Sequence, residues 1–224
     1  MFIKNLIGIF ILFILYNISK SIHLYYLYKQ HDINMKLTPI QNNNKKKLLL
    51  IGDNNVVGIG SKMRNLYHLF LPIYDIKVIG INGTKVINYE NLTNYLFKYE
   101  KFDEIITILG INDYIRGLLN YNFFTKKLIL YLSELKSHSN NIYFLYTNIS
   151  KFNNIPPLLK LIYNIRATKI HNILKTTCNK MEIDFVYIHI PPKNHQSRDG
   201  YHLNQNGYLT IFNQFKDFII KKIK

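Results

Sequence analysis

A chain of 224 residues, 48 % of them hydrophobic, suits one globular domain with a short appendage. The formal charge of +16 would ordinarily point to nucleic acid, but it comes from lysine. There are four arginines (Arg64, Arg116, Arg166, Arg198), a single alanine (Ala167), and a crowd of Ile, Asn, Lys, Tyr and Phe that resembles the drift of an AT-rich genome. With no arginine stripe and no interleaved stacking motif, no nucleic-acid partner is expected. The lone Cys178 excludes an intrachain disulfide, and its helix-type neighbours predict a packed thiol.

Residues 1–28 read as a hydrophobic membrane anchor or signal segment. Leu6 to Tyr16 is an apolar run without a charge, set between Lys4 and Lys20. It is shorter than the roughly 20 residues that span a bilayer, although a span could run from Phe2 to Ile18 with the lysines snorkelling. No small-residue cleavage site comes after the run, and Tyr25, Tyr26 and Tyr28 read as an interfacial aromatic belt. A retained single-pass anchor is therefore the expectation, with secretion or a periplasmic location if the segment is cleaved. Lysine is too abundant for the charge rule to set the side of the membrane. Residues 29–46, with Pro39, a QNNN stretch and the first two of three consecutive lysines, read as a linker.

From 47 to 224 the pattern becomes regular. Short apolar runs at Leu48 to Asp53, Ile76 to Ile81, Glu104 to Gly110, Asn141 to Tyr146 and Phe185 to Ile190 predict five strands. Segments of helical spacing separate them: Gly60 to Phe70, Tyr89 to Tyr99, Phe123 to Ser137 and Pro157 to Asn179, with Asn206 to Lys222 last. Alternating strands and helices with right-handed crossovers predict an α/β fold, a three-layer α/β/α sandwich around a five-stranded parallel sheet. In such sheets the ligand crevice lies beyond the carboxyl ends of the strands.

The unusual polar clusters fall at those ends. Gly52-Asp53-Asn54-Asn55 follows the first strand, Asn82-Gly83-Thr84 the second, and Gly110-Ile111-Asn112-Asp113 the third. Asp199-Gly200-Tyr201-His202 precedes the last helix. An Asp three residues before a His can reach the imidazole and fix its tautomer. The Gly83 backbone N–H and the Asn112 amide could face a developing oxyanion. Taken singly, each cluster reads better as an ordinary turn or a helix cap. Four of them at consecutive strand ends are harder to obtain by accident. The histidines have no metal-ligand spacing, and neither a metal nor a cofactor is expected. Tyr201 and Tyr208 flank the His202 loop and could line a pocket, although packing against the last helix is the commoner use of such aromatics.

These stretches, IGDNNVVGIG, INGTKV, ILGINDYIRG and DGYHLNQNGY, resemble in order and spacing the blocks of the SGNH hydrolases, also called GDSL esterases and lipases. The likeness runs from about Leu48 to the C-terminus. The segment TNISKFNNIPPLLKLIYNIRATKIHNIL is similar to the Pro-rich loop and Arg-containing helix of bacterial members. The resemblance implies a flavodoxin-like sandwich and ester hydrolysis. It also implies Asp199 and His202 as acid and base, Gly83 and Asn112 as oxyanion donors, and the residue after Gly52-Asp53 as nucleophile. That residue is Asn54, whose amide has no alkoxide-forming hydroxyl. Ser61, seven positions on and expected inside the following helix, is not expected to substitute.

Three functions remain compatible with this reading. The first is a nucleophile-less relative that binds a small ester, acyl or lipid-like ligand, and the second a slow hydrolase in which His202 activates water directly. The third is a membrane-anchored interaction protein in which the cleft is irrelevant.

Overall fold

The computed structural model describes residues 11–16, 18–19, 34–37, 45–61, 65–96, 98–115, 120–148, 155–191, 194–197 and 202–223. Six strands form one sheet: β1 (Asn34–Leu37), β2 (Lys47–Gly52), β3 (Asp75–Ile81), β4 (Glu104–Ile108), β5 (Ile142–Thr147) and β6 (Asp184–Ile188), in the order β1-β3-β2-β4-β5-β6. The last five are the expected parallel strands. The sixth, β1, pairs antiparallel with β3 and lies inside the stretch expected to be linker. Its four residues, NMKL, are too few to set an alternating pattern against the polar residues on either side.

Interior strands buried on both faces need continuous apolar runs, and the sequence supplies them. Leu48 to Ile51 in β2 and Ile105, Ile106 and Ile108 in β4 are sealed from solvent. Alternate residues of β5 serve opposite layers. Tyr143 meets Phe215 and Phe218, and Phe144 and Tyr146 stack beside Phe185. Phe215 and Phe218 belong to the C-terminal helix α7 (Gln205–Ile223), which also packs through Phe212 and Phe215 on Phe70 of α2 (Leu66–Phe70). The opposite layer holds α5 (Tyr121–Lys136) and α6 (Pro157–Lys180). Cys178 of α6 is fully buried, and burial pushes its thiol up to about 12, so it is packed rather than reactive.

Two helices differ from expectation. After β2 the chain turns at once into the short α1 (Asn54–Val57), capped by the Asp53 carboxylate accepting from the Asn55 N–H, and stops at Gly58. Ser61 therefore lies in the turn after α1, its N–H donating to the Gly58 carbonyl, and not inside a helix. The region expected as one helix from Tyr89 to Tyr99 is a 3₁₀ turn (Val86–Asn88) followed by α3 (Glu90–Thr93). A short helix α4 (Ile111–Ile115) starts directly after Gly110.

Residues 11–16 and 18–19 are helical, with Ile11, Leu12, Phe13, Leu15 and Ile18 all exposed. The rest of the expected anchor lies outside the described residues. Among the described residues no helix is long and apolar enough to cross a membrane.

Candidate active site

The register of the sheet assembles the site. Gly52 of β2 stands opposite Gly80 of β3 and Ile108 of β4, so the three strands end level and their following loops meet at one edge. Asn54, Gly83 and Asn112 lie two to four positions beyond those ends.

Asn54 opens α1 and Asn112 sits in the first turn of α4, and both are buried. Gly83 adopts φ +73°, a left-handed conformation that a side chain would strain, and so turns its N–H inward. His202 arrives from the other end of the chain on a small hairpin. The Ser197 N–H donates to the His202 carbonyl at 2.7 Å, and Gln196 bridges Leu203. The Asn204 side chain ties the hairpin back to the Asn194 and Gln196 carbonyls and caps α7 through the Gly207 N–H.

Four of the five residues implied by the resemblance thus converge. The Asn54 carboxamide lies at their centre, 2.9 Å through Nδ2 from His202 Nε2. Its Oδ1 accepts from the Gly83 N–H at 2.6 Å and from Asn112 Nδ2 at 3.4 Å. The amide orientation is fixed by chemistry, because a flipped Asn54 would set its NH₂ against the Gly83 N–H. Nδ2 is then the donor and His202 Nε2 the acceptor, which leaves the imidazole proton on Nδ1. Asp199, expected to hold that side of the ring, lies outside the described residues, as does Tyr201.

Two buried carboxyl groups frame the centre. Asp53 accepts from the Asn55 N–H at 3.0 Å, from Asn55 Nδ2 at 3.1 Å and from Asn112 Nδ2 at 3.2 Å. Burial pushes it up to about 7 despite these donors. Asp113 accepts from the Val86 N–H at 2.9 Å, which ties the β4 loop to the Gly83 loop, and burial raises it to about 6. The Asn112 amide also donates to the Thr84 carbonyl, so it spans three loops.

Supports that the sequence did not single out lie close by. Gly60 (φ +92°) passes so near the hairpin that a Cβ there would stand 2.3 Å from the Leu203 carbonyl oxygen and 3.2 Å from the His202 Cβ. Only its place in the first block, after Gly58, marked it. Tyr208 is fully buried and donates to the Ile59 carbonyl at 2.8 Å, locking α7 to the turn behind Asn54 rather than lining a pocket. Among the remaining histidines, buried His138 bonds the Glu100 carbonyl, and His171 stands edge-on against Phe185 and Tyr187. Among the described residues no cluster of His, Cys, Asp or Glu could hold a metal ion.

Chemically the centre offers two converging N–H donors and an imidazole acceptor, the equipment for stabilising an oxyanion and moving a proton. The position between them holds a carboxamide instead of a hydroxyl.

Similarity to known proteins bears on the fold. No curated protein sequence matches, but solved structures do, at identities that establish the fold alone. A Streptococcus pneumonia protein provisionally described as a platelet activating factor superposes with a TM-score of 0.61 at 18 % identity, over 95 % of this chain and 98 % of its own. A lipase/acylhydrolase from Enterococcus faecalis gives 0.59 at 16 % identity, over 79 % and 96 %. A point mutant of an acetyl-xylooligosaccharide esterase from Geobacillus stearothermophilus gives 0.57 at 17 %, over 81 % and 94 %. The profile of the GDSL-like lipase/acylhydrolases matches residues 33–215, most of the chain and all four loops of the site, and the chain belongs to that family.

Proposed function

We propose that this chain is an esterase-type domain with its acyl-transfer centre assembled but silent, because Asn54 stands at the nucleophile position. One observation carries the reading: Asn54 and His202, 148 positions apart, meet at 2.9 Å in a buried pair, where a serine and its general base would meet. Gly83 and Asn112 act as the oxyanion donors, His202 as the base, and Asp199 as its carboxylate partner. The ligand class the centre is shaped for, and that Asn54→Ser would restore as substrate, is a small ester, acyl or lipid-like molecule, in keeping with the esterase and acylhydrolase activities named for the structural neighbours. The N-terminal segment attaches the domain to a membrane, a role favoured by the exposed apolar side chains of Ile11, Leu12, Phe13, Leu15, Tyr16 and Ile18.

Direct activation of water by His202 is the weaker reading, since Nε2 is already engaged by Asn54. The test is hydrolysis of p-nitrophenyl acetate and butyrate by the full chain, by His202→Ala, by Asn54→Ser, and by Asn54→Ser combined with His202→Ala. Asn54→Ser is expected to exceed the parent by about 10³-fold or more, a conservative share of the roughly 10⁶-fold by which losing such a nucleophile slows comparable enzymes, with the gain lost in the double variant. Parent turnover that His202→Ala abolishes would overturn silence in favour of direct hydrolysis. An inactive but folded Asn54→Ser would remove the esterase reading altogether.

A further inference from the structure

We propose that Asn54 does more than lack a hydroxyl: it is a resident acyl-group surrogate that excludes carbonyl ligands from the site. This inference rests on the assignment of Gly83 and Asn112 as oxyanion donors. The atoms of the carboxamide map one by one onto what a bound acyl group would present. Oδ1 accepts from the Gly83 N–H at 2.6 Å and from Asn112 Nδ2 at 3.4 Å, the two donors that a substrate carbonyl would need. Nδ2 donates to His202 Nε2 at 2.9 Å, in the place of an attacking hydroxyl or a leaving amine. A serine side chain would end one atom beyond Cβ and leave the Gly83 N–H open, with Asn112 Nδ2 still shared with Asp53 and Thr84. Asparagine carries a planar O–C–N unit across the gap and closes it.

The surroundings hold the surrogate in place. The carboxamide is buried, and its backbone is pinned at the start of α1, where the Val56 and Val57 N–H groups donate to the Asp53 carbonyl. Asp53 is itself fixed by Asn55 and Asn112. An incoming carbonyl must therefore rotate Asn54 away, and each buried hydrogen bond so broken lowers affinity by about tenfold. Asn54 is in this sense a specificity-determining residue, one that turns an oxyanion hole into a self-satisfied structural contact.

Acetamide, the small molecule equivalent to an asparagine side chain, provides the test. It is titrated into the isotopically labelled full chain, Asn54→Gly and Asn54→Ala, with the Gly83 amide and His202 imidazole resonances as readouts. Both variants are expected to bind acetamide saturably, at least tenfold more tightly than the parent, with shifts at Gly83 and His202. Equal binding by the parent, with the same resonances moving, would show that Asn54 yields freely and would overturn the exclusion. So would no binding by either variant. Ester hydrolysis by Asn54→Ser reports separately on the esterase reading: an active serine variant beside acetamide-blind Gly and Ala variants sinks the surrogate and spares the esterase, whereas the reverse pattern does the opposite.

Discussion

The two ends of the same sheet bury polar groups in opposite ways. At the amino ends of the strands Glu104 is met by Lys46 at 2.9 Å and by the Tyr74 hydroxyl at 2.8 Å, so its charge faces a cation and a donor. At the carboxyl ends Asp53 and Asp113 are held by N–H groups of Asn55, Asn112 and Val86, and burial raises both carboxyls toward neutral pH. The first arrangement is that of a structural ion pair. The second keeps polar groups in a dry setting where their directions, rather than compensating charges, set the chemistry. Perturbed carboxyls with converging donors distinguish the carboxyl end as the candidate site.

The comparison is broken most severely by pH. Between about pH 4 and 7 folded Asp53 keeps a proton that the unfolded chain releases, so its contribution to stability falls as pH rises through that window and is flat above it. The substitution Asp53→Asn removes the ionisable group and with it this dependence. Unfolding free energies from urea titrations at pH 4.5 and 7.5 should therefore show the variant gaining on the parent at the higher pH, by about 3 kcal/mol at most for a shift of this size. A gap that stays constant or narrows with pH would contradict the assignment.

A smaller effect is expected from Gly60→Ala, which forces a side chain into a left-handed conformation and against the Leu203 carbonyl. It should cost about 2 kcal/mol in urea unfolding. Introduced beside Asn54→Ser, it should also lower esterase turnover, because the hairpin that carries His202 must shift. Unchanged turnover would show that the hairpin gives way without moving the imidazole.

The smallest change is expected at the amino end. Lys46 is 69 % exposed in its pair with Glu104, so Lys46→Ala should cost less than about 1 kcal/mol and leave Asn54→Ser turnover untouched. A larger loss, or a drop in turnover, would mean that the two ends of the sheet are coupled.

The five parallel strands were legible because interior parallel strands announce themselves as short apolar runs, and each of their boundaries lies within two residues of expectation. The candidate site was legible only as polar clusters in the loops; the structure brings Asn54, Gly83, Asn112 and His202 together, while Asp199 lies outside the described residues. Less legible were α1, which ends after one turn at Gly58, and β1, whose partner β3 lies beyond β2 in the chain. Their place depends on pairing and packing that local propensity does not encode. By itself, the sequence determined the layer architecture, the core, and the absence of a hydroxyl at position 54. Only the tertiary structure decided what the asparagine does there. The direction of an amide is set by donors and acceptors from separate loops, and those converge only when the sheet register has brought the loops level.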